Sequence, residues 1–369
     1  MNLNQVVIHE LVKEQHKNIK KSIIKKVLLP VDNQIVQKLV SGVANLYGKK
    51  NNSAHYGIFN EAEEAEYFPE YFDKYQYINP TTDKSFLAIT QIAMKRLEHY
   101  AGTSSASSGG YMLFANYTNE QGNFFLAAML KKKAGITLND DLVPTALDEI
   151  DLNSLHQAAK INLQRYKSYK LAQEIDRQDL SYLSFVSPST SRSAAGYFVI
   201  ALGCAKGTAS AKATDTIVSA SYQFFNNTPE LKKYKNDFKD SLLRYLTICE
   251  SKKESAKLSE VEKIARKFFP AENEKQSDKL SEELLETLNN EENRVPVEFP
   301  VNKSILKKHT HLSYKGDNYQ ILLDRGILGV TQDSAVQYDK EKRTLTFRNI
   351  PIELIELVEA ELKDAGTNK

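Results

Sequence analysis

Apolar positions change their spacing several times along the 369-residue chain, and each change marks an element. Val6 to Val12 is short and rich in β-branched residues, which predicts an N-terminal strand. Ile19 to Leu29 reads equally as a second strand or as a helix. Between Gln34 and Tyr47 the residues Ile35, Val36, Leu39, Val40, Val43, Leu46 and Tyr47 keep helical spacing, so an amphipathic helix is expected. A further helix is expected from Ser85 to His99. The Gly/Ser tract from Ala101 to Gly110 is expected to be a flexible loop inside a domain, because strands resume at once. Tyr111 to Thr118 and Phe124 to Lys132 flank a five-residue turn, Asn119 to Asn123, which predicts a β-hairpin. The sheet is expected to continue through Ile136 to Leu138 and Ala158 to Tyr166.

From Tyr197 to Phe269 the pattern is helical, with segments near Ala209 to Phe225, Pro229 to Cys249 and Leu258 to Phe269. Ala271 to Arg294 holds eight acids and three bases and predicts a solvated helix within an acidic connector. Alternation returns at Tyr319 to Leu323, Val336 to Tyr338 and Thr344 to Phe347, before a terminal helix from Pro351 to Lys363. The expected fold class is α+β. It comprises a mixed sheet-and-helix N-terminal domain over residues 1–178, a mainly helical middle region with the acidic connector over 179–295, and a small C-terminal α+β module over 296–369.

A composition of 41% hydrophobic and 26% charged residues excludes a largely disordered chain. With 49 basic and 47 acidic side chains the net charge is only +2, so any attraction to a polyanion must come from local segregation of charge. Cys204 and Cys249 lie far apart in apolar, helix-like surroundings, which suits buried free thiols in a reducing cytoplasm. The start lacks the pattern of a secretory signal, and the longest apolar runs, Phe124 to Leu130 and Tyr197 to Ala205, fall far short of the ~20 residues of a membrane helix. No membrane partner is expected.

The densest basic segment carries Lys13, Lys17, Lys20, Lys21, Lys25 and Lys26 against one acid, Glu14. Lysines are point charges suited to phosphates rather than to base edges, and six such contacts make affinity fall steeply with salt. The same lysines also suit a solubilising face or a protected edge strand. Near the centre, an aromatic strand-like run from Tyr182 feeds a small-residue turn holding Arg192, and an apolar segment follows to Gly203. That order places Arg192 at a helix start, in an anion-facing turn. Lys206 and Lys212 lie just beyond and extend it to a second basic site. The acidic run from Asn60 to Asp73 reads as a segment whose Tyr67, Phe68, Tyr71 and Phe72 pack inward. His309 and His311 lack an obvious third ligand, and neither G-x-S-x-G, H-E-x-x-H nor G-x-x-x-x-G-K-[ST] occurs. The acid-x-Lys tripeptides at Asp237 and Glu361 fall in helix-like stretches. No catalytic residue, metal site or cofactor is expected.

Several blocks resemble, in order, the bacterial nucleoid-associated protein family of NdpA/YejK type, the 37 kDa nucleoid-associated proteins. They are Gln5 to Lys13, Tyr56 to Phe59, Gly109 to Tyr117, Phe125 to Leu130, Leu147 to Leu152, Lys160 to Leu163 and Tyr182 to Gly203, followed by Phe299 to Leu306, Ile321 to Asp324 and Tyr338 to Thr346. The resemblance implies a cytoplasmic, nucleoid-localised protein that binds double-stranded DNA with little sequence preference and has no established enzymatic activity. The central block departs from the family, which commonly carries several basic residues where this chain keeps only Arg192. A homodimer would join two modest patches and raise avidity. Two other readings remain open: a chromosome-associated protein-interaction adaptor, favoured by the near-balanced charge and acidic tracts, and a DNA-sensing component of a phage-defence system working beside a partner protein.

Overall fold

Near-continuous apolar runs along the central strands give the first part of the chain an antiparallel sheet buried on both faces. The computed structural model describes residues 1–47, 52–60, 67–76, 82–152, 155–177, 180–186, 196–206 and 210–364. Two compact units result, Met1–Asn302 and Lys303–Lys369, and the fold is α+β.

The first unit begins with β1 (Asn2–Leu11), α1 (Gln34–Leu46), β2 (His55–Phe59), α2 (Phe68–Gln76) and α3 (Asp83–Thr103). It continues with β3 (Gly110–Asn119), β4 (Gly122–Leu130), β5 (Lys132–Leu138), β6 (Pro144–Ile150) and β7 (Gln157–Asn162). Then come α4 (Leu163–Leu171), α5 (Glu174–Arg177), β8 (Leu183–Val186), α6 (Gly196–Ala201) and β9 (Cys204–Lys206). Seven of these strands form one sheet in the order β1-β3-β4-β7-β8-β2-β9, every neighbour antiparallel. The expected boundary at residue 178 therefore falls between two neighbouring strands of a single sheet.

Period-2 alternation sorts the core. Met112, Phe114, Phe125, Ala127 and Met129 face one side with Phe86, Ile89, Met94 and Leu97 of α3 and Phe72 of α2. Leu113, Ala115, Tyr117, Phe124 and Leu126 face the other with Val40 and Val43 of α1. Caps fix where these helices start. Asn33 accepts hydrogen bonds from the Ile35 and Val36 amides, and Thr82 and Ser85 form a reciprocal capping box for α3. The inward packing expected of Tyr67, Phe68 and Phe72 is found; residues 61–66 of that acidic run lie outside the described residues.

Four local expectations are corrected. Ile19 to Leu29 is neither strand nor helix but an extended strap with one bridge, Ile23 to Glu10. The Gly/Ser tract is anchored: Ser107 is fully buried and donates to the Ala101 and Ser104 carbonyls, and the Gly109 amide donates to Lys13 O. The β3–β4 turn holds two residues, not five, because Asn119 pairs directly with Gly122, which takes the φ of +134° that glycine tolerates. Ile136 to Leu138 leaves the main sheet for a separate β5–β6 ribbon, where Ile136 is 80% exposed.

A helical layer completes the unit: α7 (Ser210–Asn227), α8 (Lys235–Lys252), β10 (Ser255–Lys257), α9 (Leu258–Arg266), α10 (Glu274–Leu288) and β11 (Glu298–Pro300). Phe225 of α7 stacks on Phe238 of α8 with centroids 4.0 Å apart. The acidic connector proves to be packed rather than solvated. Leu280, Leu284, Leu285 and Leu288 of α10 are buried, and the segment after it plugs against the sheet through Asn289, which bonds the amide and carbonyl of Ala54. Its acids fooled the sequence reading because they share the helix with a leucine stripe at helical spacing. Cys204 and Cys249 are buried free thiols, the former on β9 rather than in a helix.

The second unit holds α11 (Lys303–Thr310), a β12 (His311–Lys315) and β13 (Gln320–Asp324) hairpin, a three-stranded sheet of β14 (Leu328–Gly329), β15 (Val336–Asp339) and β16 (Thr344–Phe347), and α12 (Ile352–Asp364). Leu306, Leu323 and Val336 are its buried apolar residues.

Candidate nucleic-acid interface

After β1 the chain doubles back along the outer edge of that strand. Glu10 and Ile23 exchange both backbone hydrogen bonds (3.0 and 2.9 Å), the Lys20 amide donates to Val12 O (3.0 Å), and the Leu29 amide donates to Val6 O (2.8 Å). His9 adds a side-chain rivet. Its Nδ1 accepts from the Lys25 amide (3.1 Å), and its Nε2 lies 3.1 Å from Thr90 Oγ1, which itself donates to Leu87 O. The acceptor role at Nδ1 places the ring hydrogen on Nε2. Burial lowers the His9 pKa to about 4, so the ring is neutral at ordinary pH.

This strap presents Lys17, Lys20, Lys21, Lys25 and Lys26 to solvent. Lys17 is paired with Glu14. Lys13 stands apart from the row: it is only 8% exposed, and its Nζ donates to the carbonyls of Glu14 (2.8 Å) and Ser107 (3.4 Å). Its charge holds the Gly/Ser tract against the end of β1 rather than facing outward.

Two of the residues expected around the central turn, Lys206 and Lys212, lie elsewhere in the fold. Arg192 lies outside the described residues, as do 187–195 as a whole. Lys206 sits on β9, opposite Gly57, at the far edge of the sheet from β1. Six strand spacings separate those edges, about 29 Å. Lys212 lies in the first turn of α7 and is exposed at the mouth of a cleft. Arg165 of α4 and Arg294 line the same cleft, with Tyr56, Ser181, Ser210 and Phe299.

Sequence reasoning missed this grouping, whose members come from four distant parts of the chain. At its base Glu291 lies between three cations, pairing with Lys160 Nζ (3.2 Å), Arg165 Nε (3.8 Å) and Arg294 Nη1. Burial alone would raise the Glu291 pKa, but the charges of Lys160 and Arg294 outweigh it and hold the carboxyl below its usual range. Burial lowers the pKa of Lys160 and of Arg294, with Glu291 opposing. The Arg294 guanidinium stacks on the Tyr56 ring at 4.4 Å. The one signal available in the sequence was compositional: Glu291 and Arg294 lie within an asparagine-rich turn, Asn289 to Arg294, which reads as solvated until α10 is known to be packed.

A family model described as nucleoid-associated protein YejK matches residues 7–355. The chain belongs to this family. Similar proteins include a nucleoid-associated protein of Pseudomonas aeruginosa (strain UCBPP-PA14), 24% identical over 323 residues, which is 88% of this chain and 87% of that protein. One from Shewanella sp. (strain ANA-3) is 23% identical over 365 residues, covering 98% and 99%. One from Azotobacter vinelandii is 26% identical over 327 residues, covering 88% of each. Membership thus extends across both compact units. Among the described residues no helix is long and apolar enough to cross a membrane.

Proposed function

We propose that this protein acts at the nucleoid by binding double-stranded DNA with little sequence preference, through lysine and arginine contacts to phosphates and without chemistry of its own. Family membership supports the nucleoid role. The observation that carries the DNA reading is the strap, which displays five exposed lysines between residues 17 and 26 on a backbone fixed to the sheet. Near-neutral total charge makes that local row the source of attraction, and the spacing of point charges on lysine stems suits a backbone rather than a base code.

The test is a fluorescence-anisotropy titration of duplexes of unrelated sequence at several salt concentrations. Similar affinities for all duplexes and a falling log–log salt dependence are expected. Replacing Lys20, Lys21, Lys25 and Lys26 with glutamine should make the slope shallower by up to about 3.6, at roughly 0.9 per lost phosphate contact. Unchanged affinity and slope in that variant would remove the strap from the interface. Absence of salt-dependent binding by the unaltered protein would leave a protein-interaction adaptor as the better reading.

A further inference from the structure

We propose that the cleft between α4, the first turn of α7 and the 294–299 segment is a binding site for a phosphate group. This proposal deepens the DNA-binding reading and rests on it only for the source of the phosphate.

Charge balance is the first observation. Lys160, Arg165 and Arg294 surround a single carboxylate, Glu291, and three of these four groups are nearly buried. Tyr56 does not offset the excess, because its hydroxyl donates to the Asn289 and Asn290 carbonyls and it is held neutral by burial. Uncompensated positive charge in such a place is costly, and an anion at the open end offsets it.

The second observation is Arg294 itself. Its side chain is 3% exposed and lines the cleft, yet Nε and Nη2 have no hydrogen-bond partner while Nη1 binds Glu291. A guanidinium normally places all of its N–H groups. The residue is also held at φ +50°, a conformation that a side-chain-bearing residue adopts only when its surroundings require it.

The third is the 18-residue helix α7, whose first turn contributes Ser210, Lys212 and Ala213 to the lining and contains no acid. Amide hydrogens at a helix start point outward and favour an anion. Arg165, itself paired with Glu291, and the exposed Lys212 add positive charge to the lining beside Arg294. The enclosed part of the cleft measures about 20 Å³, room for a group the size of one water, such as one phosphate oxygen, with the rest of the ligand outside. That shape suits a phosphate carried on a larger molecule or a free phosphate held at the rim.

The experiment uses the full chain and its Arg165→Gln/Lys212→Gln double variant, both sites being accessible to solvent, with Arg165→Lys as the charge-conserving control. Melting temperatures are compared in phosphate and in chloride at matched ionic strength, and duplex affinity is measured against salt. A saturable rise with phosphate in the unaltered protein and in Arg165→Lys, absent in the double variant, establishes a site open to free phosphate. No rise, but a duplex salt slope shallower by about 0.9 and affinity about fivefold lower near 0.15 M salt in the double variant, establishes a site for backbone phosphodiesters. If neither signal is seen, the proposal is overturned, even if the strap lysines still bind DNA. A phosphate-specific rise in a protein that binds no duplex would instead sink the DNA reading and leave the site standing. Should the double variant fail to fold in chloride, Lys212→Gln alone serves the same comparison.

Discussion

Acidification should loosen the sheet edge at one identifiable residue. His9 is 1% exposed, accepts the Lys25 amide hydrogen at Nδ1 and faces Thr90 at Nε2, so a second ring proton would replace an acceptor with a donor aimed at another donor. In the unfolded chain the same ring takes its proton near 6.5, whereas in the folded protein it does so only near 4. The pKa is depressed by folding, so the unfolded state binds the extra proton first, and stability falls as pH drops through 6.5 and levels off below 4. At ~1.36 kcal/mol per pH unit, the full loss is about 3.4 kcal/mol, and about 2 kcal/mol is already gone at pH 5. Urea denaturation at pH 7.5, 6 and 5 measures it, with His9→Asn as reference because the asparagine oxygen keeps the Lys25 contact and does not titrate. The variant should be less stable than the unaltered protein at pH 7.5 and should lose about 2 kcal/mol less on going to pH 5. Parallel loss in the two proteins would show that His9 is protonated in the fold or irrelevant to it, and the neutral-rivet argument would be wrong.

The buried cluster gives a prediction at neutral pH. Glu291→Gln leaves Lys160 and Arg294 buried without their counter-charge and should cost about 3–5 kcal/mol in chemical denaturation, while an effect under ~1 kcal/mol would mean that solvent reaches the cluster. At the anchored Gly/Ser tract, a Cβ on Gly109 would sit 1.8 Å from Leu11 O, so Gly109→Ala should lower stability by about 3 kcal/mol or more in the same assay, and near-neutrality would show that the tract can shift away from β1.

Elements with one dominant signal were legible from the chain. The helix at 34–46 had its apolar spacing, and β3 and β4 had near-continuous apolar runs whose alternate residues sort onto two faces. Segments whose structure is decided by a distant partner were not. Ile19 to Leu29 has a strand's composition but is committed as a strap by backbone bonds to Val6, Glu10 and Val12, which no local pattern reveals. Charge misled for the same reason at Lys13 and in α10, where a long stem or a leucine stripe carries the chain into the interior despite charged neighbours. The lysine row was readable because it is contiguous. The cluster of Lys160, Arg165, Glu291 and Arg294 was not, since it forms only when residues more than a hundred positions apart meet.

Fastening cationic side chains to the rim of a sheet also fixes how pulling is shared. A tug on Lys25 passes through its amide to the His9 ring and on to Thr90 of α3, so traction is spread over a strand and a helix at once. Lysines on a loosely tethered tail would yield under the same load. Here the attachment resists until the rim peels, and it peels more readily in acid, where the imidazole lets go.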